Sequence, residues 1–234
     1  MAMLRILSGG AAQTVVERIA AEFKRETGHD IGAEFSAVGA MAARLSAGEL
    51  ADIVILTATL IDELTAKGLL AAGSRADLGR VGTGVAVRAG TPLPDVSSVK
   101  ALRGNMLAAR KIVCPDPAVA TAGKVVMQLT ARLGIDAQVR GKMHFFPNGY
   151  AAMNWLAASG GRLEMGITQV TEILPNKGVT LSGPLPSALQ ARTLYSAGVA
   201  AHAREPDVAK AFVARLTAPE ARPILAAAGY EFGD

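Results

Sequence analysis

Between residues 4 and 67 the spacing of apolar positions changes repeatedly from one period to another. Leu4–Leu7 reads as a short strand. Val16, Ile19, Ala20 and Phe23 then recur at i, i+3, i+4 and i+7, which is one face of a helix, and Gly28 stops it. Ile31, Ala33 and Phe35 alternate as in a strand. A turn at Ser36–Gly39 leads into a helix expected over Ala40–Ala47, ended by Gly48. Asp52–Leu56 forms a nearly continuous apolar strand. Thr59–Lys67 reads as a helix, with Thr59 and Asp62 at capping-box spacing and Gly68 after it. Strand and helix therefore alternate, the pattern of a mostly parallel sheet with helices on its faces.

Arg80–Arg88 reads as one strand carrying two glycines, and Thr91-Pro92-Leu93-Pro94 breaks the pattern. A second series begins near Lys111. Ile112–Cys114 reads as a strand, Pro115-Asp116-Pro117 as a turn, and Ala122–Leu133 as a helix with Val125, Val126, Leu129 and Leu133 inward. Met143–Phe146 is a strand, Asn148-Gly149 a turn, Tyr150–Ala158 a helix and Glu164–Thr168 a strand. Gly183-Pro184-Leu185-Pro186 is a loop and Leu194–Ala201 a small-residue strand. Helices at Pro206–Leu216 and Pro219–Ala228 end the series, with Gly229 behind the last.

Composition adjusts this picture in three ways. A length of 234 residues suits two small domains, and a hydrophobic share of 50% with 19% charged residues supplies real cores. The net charge is only +4, and the basic residues are scattered in pairs such as Lys24-Arg25 and Arg110-Lys111. Nucleic-acid binding, which needs a basic stripe, is therefore not expected. A single cysteine, Cys114, permits no disulfide within the chain and reads as a buried strand-end thiol. No apolar run reaches the roughly 18–20 residues of a membrane span, so no membrane insertion is expected. Met1-Ala2-Met3 leads straight into a strand without a secretory leader. The expected location is cytoplasmic as the sequence stands, or periplasmic if it is a mature form.

Candidate chemistry lies at the strand-to-helix junctions. In open α/β sheets, ligands bind beyond the carboxyl ends of strands, where helix N-termini offer free N–H groups and partial positive charge. Four junctions are built from small residues that admit a ligand to the backbone. They are Ser8-Gly9-Gly10-Ala11, Val38-Gly39-Ala40, Ala120-Thr121-Ala122-Gly123 and Asn148-Gly149-Tyr150. Thr57 closes another strand and adds a hydroxyl. No Gly-x-Ser-x-Gly elbow, phosphate loop, HExxH or Cys-x-x-Cys is present, and neither a cofactor nor a metal is expected.

Several stretches in order carry a family resemblance. They are Ile19–Lys24, Ser46-Ala47-Gly48 with Ala51-Asp52, Asp116-Pro117 with Thr121-Ala122-Gly123, Met165-Gly166-Ile167, and Thr217–Ala221 followed by Gly229-Tyr230. In these the chain resembles the molybdate-type periplasmic substrate-binding proteins, and the likeness extends over nearly its whole length. The resemblance implies the type 2 periplasmic-binding-protein fold. That is an α/β architecture of two lobes, each a mixed, mostly parallel sheet flanked by helices, joined by two crossover strands around a cleft. Lobe 1 is expected to be discontinuous, over residues 1–82 and 199–234, with lobe 2 over 83–198. The crossovers would be Arg80–Arg88 and Leu194–Ala201.

The family's oxyanion pocket uses amides, hydroxyls and a tyrosine. Carried onto this chain, its first serine falls near Ala11, its second near Gly39 and its third position at Thr57. The second-lobe helix start falls at Ala122 and the tyrosine at about Gln169. The resemblance thus implies retained backbone donors with a changed set of side chains. A small anion is expected, an organic carboxylate in preference to an oxyanion such as molybdate. A monomer working with an ABC-transporter membrane component is the partner expectation.

Some relatives on this fold isomerise unsaturated carboxylic acids such as aconitate, which makes a cytoplasmic isomerase the alternative. Such chemistry needs a proton shuttle beside a carbonyl. His29 falls in a turn, His144 in a strand, and His202 ends a strand; Tyr150, Tyr195, Arg80 and Arg88 are further polar candidates. None forms a convincing acid–base pair, so no catalytic residue is assigned from sequence.

Overall fold

The computed structural model describes residues 2–233. The chain divides into two compact units. The first runs to Val81 and resumes at Thr193; the second is Gly82–Arg192. The return to the first unit thus comes at Thr193, and residues 193–198, expected in the second lobe, belong with the first.

The first unit opens with β1 (Met3–Gly9), a 3-10 turn at Gly10–Ala12, and α1 (Gln13–Thr27). Gly28 ends α1 in the left-handed conformation at φ 75°, where its missing Cβ removes the steric cost. β2 (Asp30–Ser36), α2 (Val38–Ser46), β3 (Ile53–Thr57), α3 (Ala58–Ala66) and β4 (Ala76–Val81) follow. The cap of α3 is Thr57, whose hydroxyl accepts from the Leu60 N–H at 3.5 Å. The expected capping pair Thr59–Asp62 is not used, because the helix starts one residue before Thr59.

In the second unit the chain forms β5 (Thr83–Arg88), α4 (Val99–Ala108), β6 (Lys111–Pro115), α5 (Thr121–Leu133) and α6 (Asp136–Val139). Then come β7 (Met143–Phe146), α7 (Gly149–Ala158), β8 (Glu164–Gln169), α8 (Val170–Ile173) and β9 (Val179–Pro184). Back in the first unit lie β10 (Thr193–Val199), α9 (Pro206–Thr217), a 3-10 turn at Pro219–Ala221, α10 (Arg222–Ala228) and β11 (Tyr230–Glu231).

The first sheet runs β11-β4-β10-β3-β1-β2, with β1, β2 and β3 parallel. The second runs β7-β6-β8-β5-β9, with β6, β7 and β8 parallel. The strand expected over Arg80–Arg88 is broken at Gly82, so β4 joins the first sheet and β5 the second. Likewise β10 pairs only with β3 and β4, and β9 is the strand that completes the second sheet beside β5.

Each sheet is buried by its own helices. In the first unit Phe212 of α9 is fully buried and meets Phe23 of α1 edge-on, with ring centroids 5.2 Å apart. Asp52 is buried before β3, and its carboxylate accepts the Arg5 and Arg204 N–H groups, both at 2.8 Å. It ties β1 to the loop behind β10. Asp52→Ala strands two amide donors and should cost about 2 kcal/mol, seen as a lower urea midpoint at unchanged slope.

Candidate functional site

Helix starts gather at one edge of each sheet. In the first unit β2, β1 and β3 are neighbours, and their registers set Ser8 level with Phe35 and Ile55. The 3-10 turn at Gly10, the start of α2 at Val38 and the start of α3 at Ala58 therefore leave the same edge. In the second unit β7, β6 and β8 are neighbours, and α5, α7 and α8 start beyond their carboxyl ends. The sequence candidates distribute accordingly. Ser8, Gly9, Gly10, Ala11, Gly39, Ala40 and Thr57 lie at the first edge. Thr121, Ala122, Gly123, Asn148, Gly149, Tyr150 and Gln169 lie at the second.

Three of these starts have no side chain capping them: Gly10–Ala12, α2 and α5. The first N–H groups of a helix have no partner within the helix. At Gly10–Ala12, α2 and α5 no capping side chain competes for them, whereas at α8 the Glu172 carboxylate accepts the Gln169 N–H and the Gly82 carbonyl accepts the Val170 N–H at 3.0 Å.

Several of these candidate side chains have partners of their own. The Ser8 hydroxyl is fully buried and donates to the Gly9 carbonyl at 3.0 Å. Thr57 caps α3 as described. Asn148 caps α7, its Oδ1 accepting from the Ala151 N–H at 2.8 Å. Gly123 is required by packing, since a Cβ there would stand 2.4 Å from the Pro115 carbonyl oxygen. Gly9 is similarly enclosed, with a Cβ falling 2.6 Å from Val38 and 3.2 Å from the Tyr195 ring. The histidines stand elsewhere. His144 is exposed and stacks on Trp155, His202 is exposed, and His29 Nδ1 accepts from the Ala2 N–H at 3.0 Å. Cys114 is buried in β6, and burial pushes its thiol up to about 12, so it remains an unreactive thiol.

The residue that sequence reasoning missed is Glu172. It is only 5% exposed, three positions past the cap residue Gln169. Its carboxylate accepts from the backbone N–H groups of Gly149 and Gln169 and from the Thr168 hydroxyl, the last at 2.5 Å. One buried acid thus joins the starts of α7 and α8 and occupies the Gly149 amide. Burial pushes the Glu172 carboxyl up to about 7, and these three hydrogen bonds oppose the rise. The sequence does carry a signal, because Gln169-Val170-Thr171-Glu172 has the reach-back half of a capping box.

Comparison with known proteins fixes the family. Residues 4–231 match the bacterial extracellular solute-binding proteins. The chain belongs to that family. A curated relative, aconitate isomerase from Pseudomonas sp, is 29% identical over 224 residues, covering 93% of this chain and 83% of the relative. Among solved structures, the periplasmic molybdate-binding protein of Azotobacter vinelandii superposes with a TM-score of 0.84 at 20% identity, covering 99% of this chain and all of that one. The sulfate-binding protein SubI of Mycobacterium tuberculosis H37Rv gives 0.80 at 15% identity, covering 100% of this chain and 88% of that one. These likenesses establish a two-lobed, mixed α/β fold of the periplasmic-binding-protein type. Membership of the solute-binding family implies a small solute as the ligand. Among the described residues no helix is long and apolar enough to cross a membrane.

Proposed function

We propose that this protein binds a small organic carboxylate through main-chain N–H groups at the uncapped helix starts. The observation that carries this reading is the collection of helix starts at one edge of each sheet, three of them, Gly10–Ala12, α2 and α5, without a side chain on their N–H groups. Such starts favour negative charge and need no basic side chain to hold it. A carboxylate suits the site better than a tetrahedral oxyanion. By the family resemblance the hydroxyl and tyrosine positions would fall near Ala11, near Gly39 and at about Gln169, and the hydroxyls of Ser8 and Thr57 are bonded within the protein. The relative named as an aconitate isomerase supports a carboxylate as the ligand class.

A thermal-shift panel of trans-aconitate, cis-aconitate, citrate, succinate, molybdate and sulfate tests the reading. At about 100 times its dissociation constant a true ligand adds about 2.7 kcal/mol. At least one carboxylate should raise the melting temperature while molybdate and sulfate leave it in place. Stabilisation by oxyanions alone, or by no anion, would overturn it.

A second reading, isomerisation of an unsaturated carboxylic acid, is favoured by Glu172. This acid populates both protonation states near neutral pH at the same edge as the helix starts. Moving a double bond takes a proton from one carbon and returns one to another, so the reaction balances without a cofactor. Proton NMR of trans-aconitate with the protein reads it out directly. Growth of cis-aconitate signals supports this reading, and an unchanged spectrum at saturating ligand leaves binding alone.

A further inference from the structure

The opposite end of the second sheet holds a different cavity. It has a volume of about 530 Å³ and is lined by residues of three separate segments: the end of β5 with the loop behind it, the end of α4 with Arg110, and the loop entering β8. The helix starts of α5 and α7 lie beyond the carboxyl ends of β6 and β7, whereas Arg110 and Arg162 precede the first residues of β6 and β8. The cavity is therefore separate from the helix-start edge of that unit.

Its walls combine positive charge with apolar surface. Arg88, Arg110 and Arg162 all line it, and no acid pairs with any of them among the described residues. The Arg88 Nε is buried without a hydrogen-bond partner. Glu164, the acid in the wall, is already engaged by Lys111 at 3.6 Å and by the Ser159 hydroxyl, so it does not neutralise the arginines. Val87, Leu93 and Leu163 supply the apolar part. Leu93 is 55% exposed and Leu163 65%, so both leave apolar surface open at the cavity. Leu163 also adopts φ 55°, a left-handed backbone that a leucine rarely takes. Its carbonyl accepts from the Arg110 N–H at 2.7 Å, which fixes the two loops against each other.

We propose that this cavity is a second binding site, for an amphipathic monocarboxylate whose carboxylate meets the arginines and whose short apolar chain covers Leu93 and Leu163. The volume lies within the usual range for small-molecule sites, and arginine is the side chain best matched to a carboxylate. A purely inorganic anion would leave the apolar wall in water, and a neutral hydrocarbon would leave the arginines unpaired.

Octanoate is the probe, with acetate and 1-octanol as controls that each carry one of its two features. Amide shift mapping on the nitrogen-15-labelled protein should place octanoate on residues 88–94, 108–110 and 161–165. Both controls should bind at least about tenfold more weakly. Arg110→Glu combined with Arg162→Glu should weaken octanoate by at least about tenfold without lowering the melting temperature. Leu163→Gly, which suits the positive φ while removing the apolar wall, should also weaken it and provides a variant whose backbone is unstrained. Shifts absent from these segments at about 10 mM octanoate, or affinity unchanged in the charge-reversed protein, would overturn the proposal.

Discussion

Replacing Glu172 with glutamine is expected to flatten the pH dependence of folding stability between about pH 5 and about pH 8. In the folded protein burial holds the Glu172 carboxyl up at about 7, against an ordinary value of 4.5. The folded state therefore keeps a proton that the unfolded chain has already released. The resulting contribution is fully present below about 4.5, declines as the pH rises through about 7, and is gone above it. A displacement of this size corresponds to about 3 kcal/mol across the window. Urea midpoints measured at several pH values should fall with rising pH for the natural protein and hold level for Glu172→Gln, whose neutral amide mimics the protonated acid. Parallel pH profiles for the two proteins would show that Glu172 is ionised throughout.

Gly149→Ala should be still more damaging. A Cβ at this position would lie 1.9 Å from Glu172 Oε2 and 2.4 Å from the Thr168 hydroxyl oxygen. Neither atom can move freely, because the carboxylate is held by two backbone amides and the hydroxyl by the carboxylate. The added methyl group must displace the acid from the amides at the starts of α7 and α8. Overpacking plus loss of bonds to a buried carboxyl should cost about 4 kcal/mol. Chemical denaturation reads the loss of stability, and the Glu172→Gln, Gly149→Ala double variant separates its parts. Because both changes act on one contact, their costs should fall short of additivity by about 1 kcal/mol or more.

The fold was legible where periodicity is strong. The spacing of Val16, Ile19 and Phe23 marks α1, and Met143–Phe146 is a strand with the same bounds in sequence and structure. The short elements α6, α8 and β11 were missed, and so were the longer α4 and β9, for lack of pattern. α4 buries only Leu102 and Met106, leaves Val99 exposed and carries Gly104, so its apolar stripe is thin. β9 is a short edge strand ending in Gly183-Pro184 and reads as loop. The passage of the chain between sheets at Gly82 follows from pairing partners distant in sequence, which local spacing does not encode.

The candidate site was legible in outline only. Glycines mark where helices begin, but not what each glycine accommodates. Gly149 reads as an open approach for a ligand, whereas its space is filled by a carboxylate 23 positions further along the chain. Ser8 and Asn148 look like ligand-selecting groups in sequence because their intramolecular partners are set by helix and strand ends. The arginine-lined cavity was invisible for the same reason: Arg88, Arg110 and Arg162 meet only once β5, β6 and β8 are aligned.

The central claim, a small carboxylate held by helix-start amides, is tested most directly by amide shift mapping with trans-aconitate and citrate. Saturable shifts are expected at Gly10–Ala12, Val38–Ala40 and Thr121–Gly123 together, with the Gly149 amide responding less because Glu172 already occupies it. Shifts confined to residues 88–94, 108–110 and 161–165, or no saturable shift at any of the helix starts, would contradict the account.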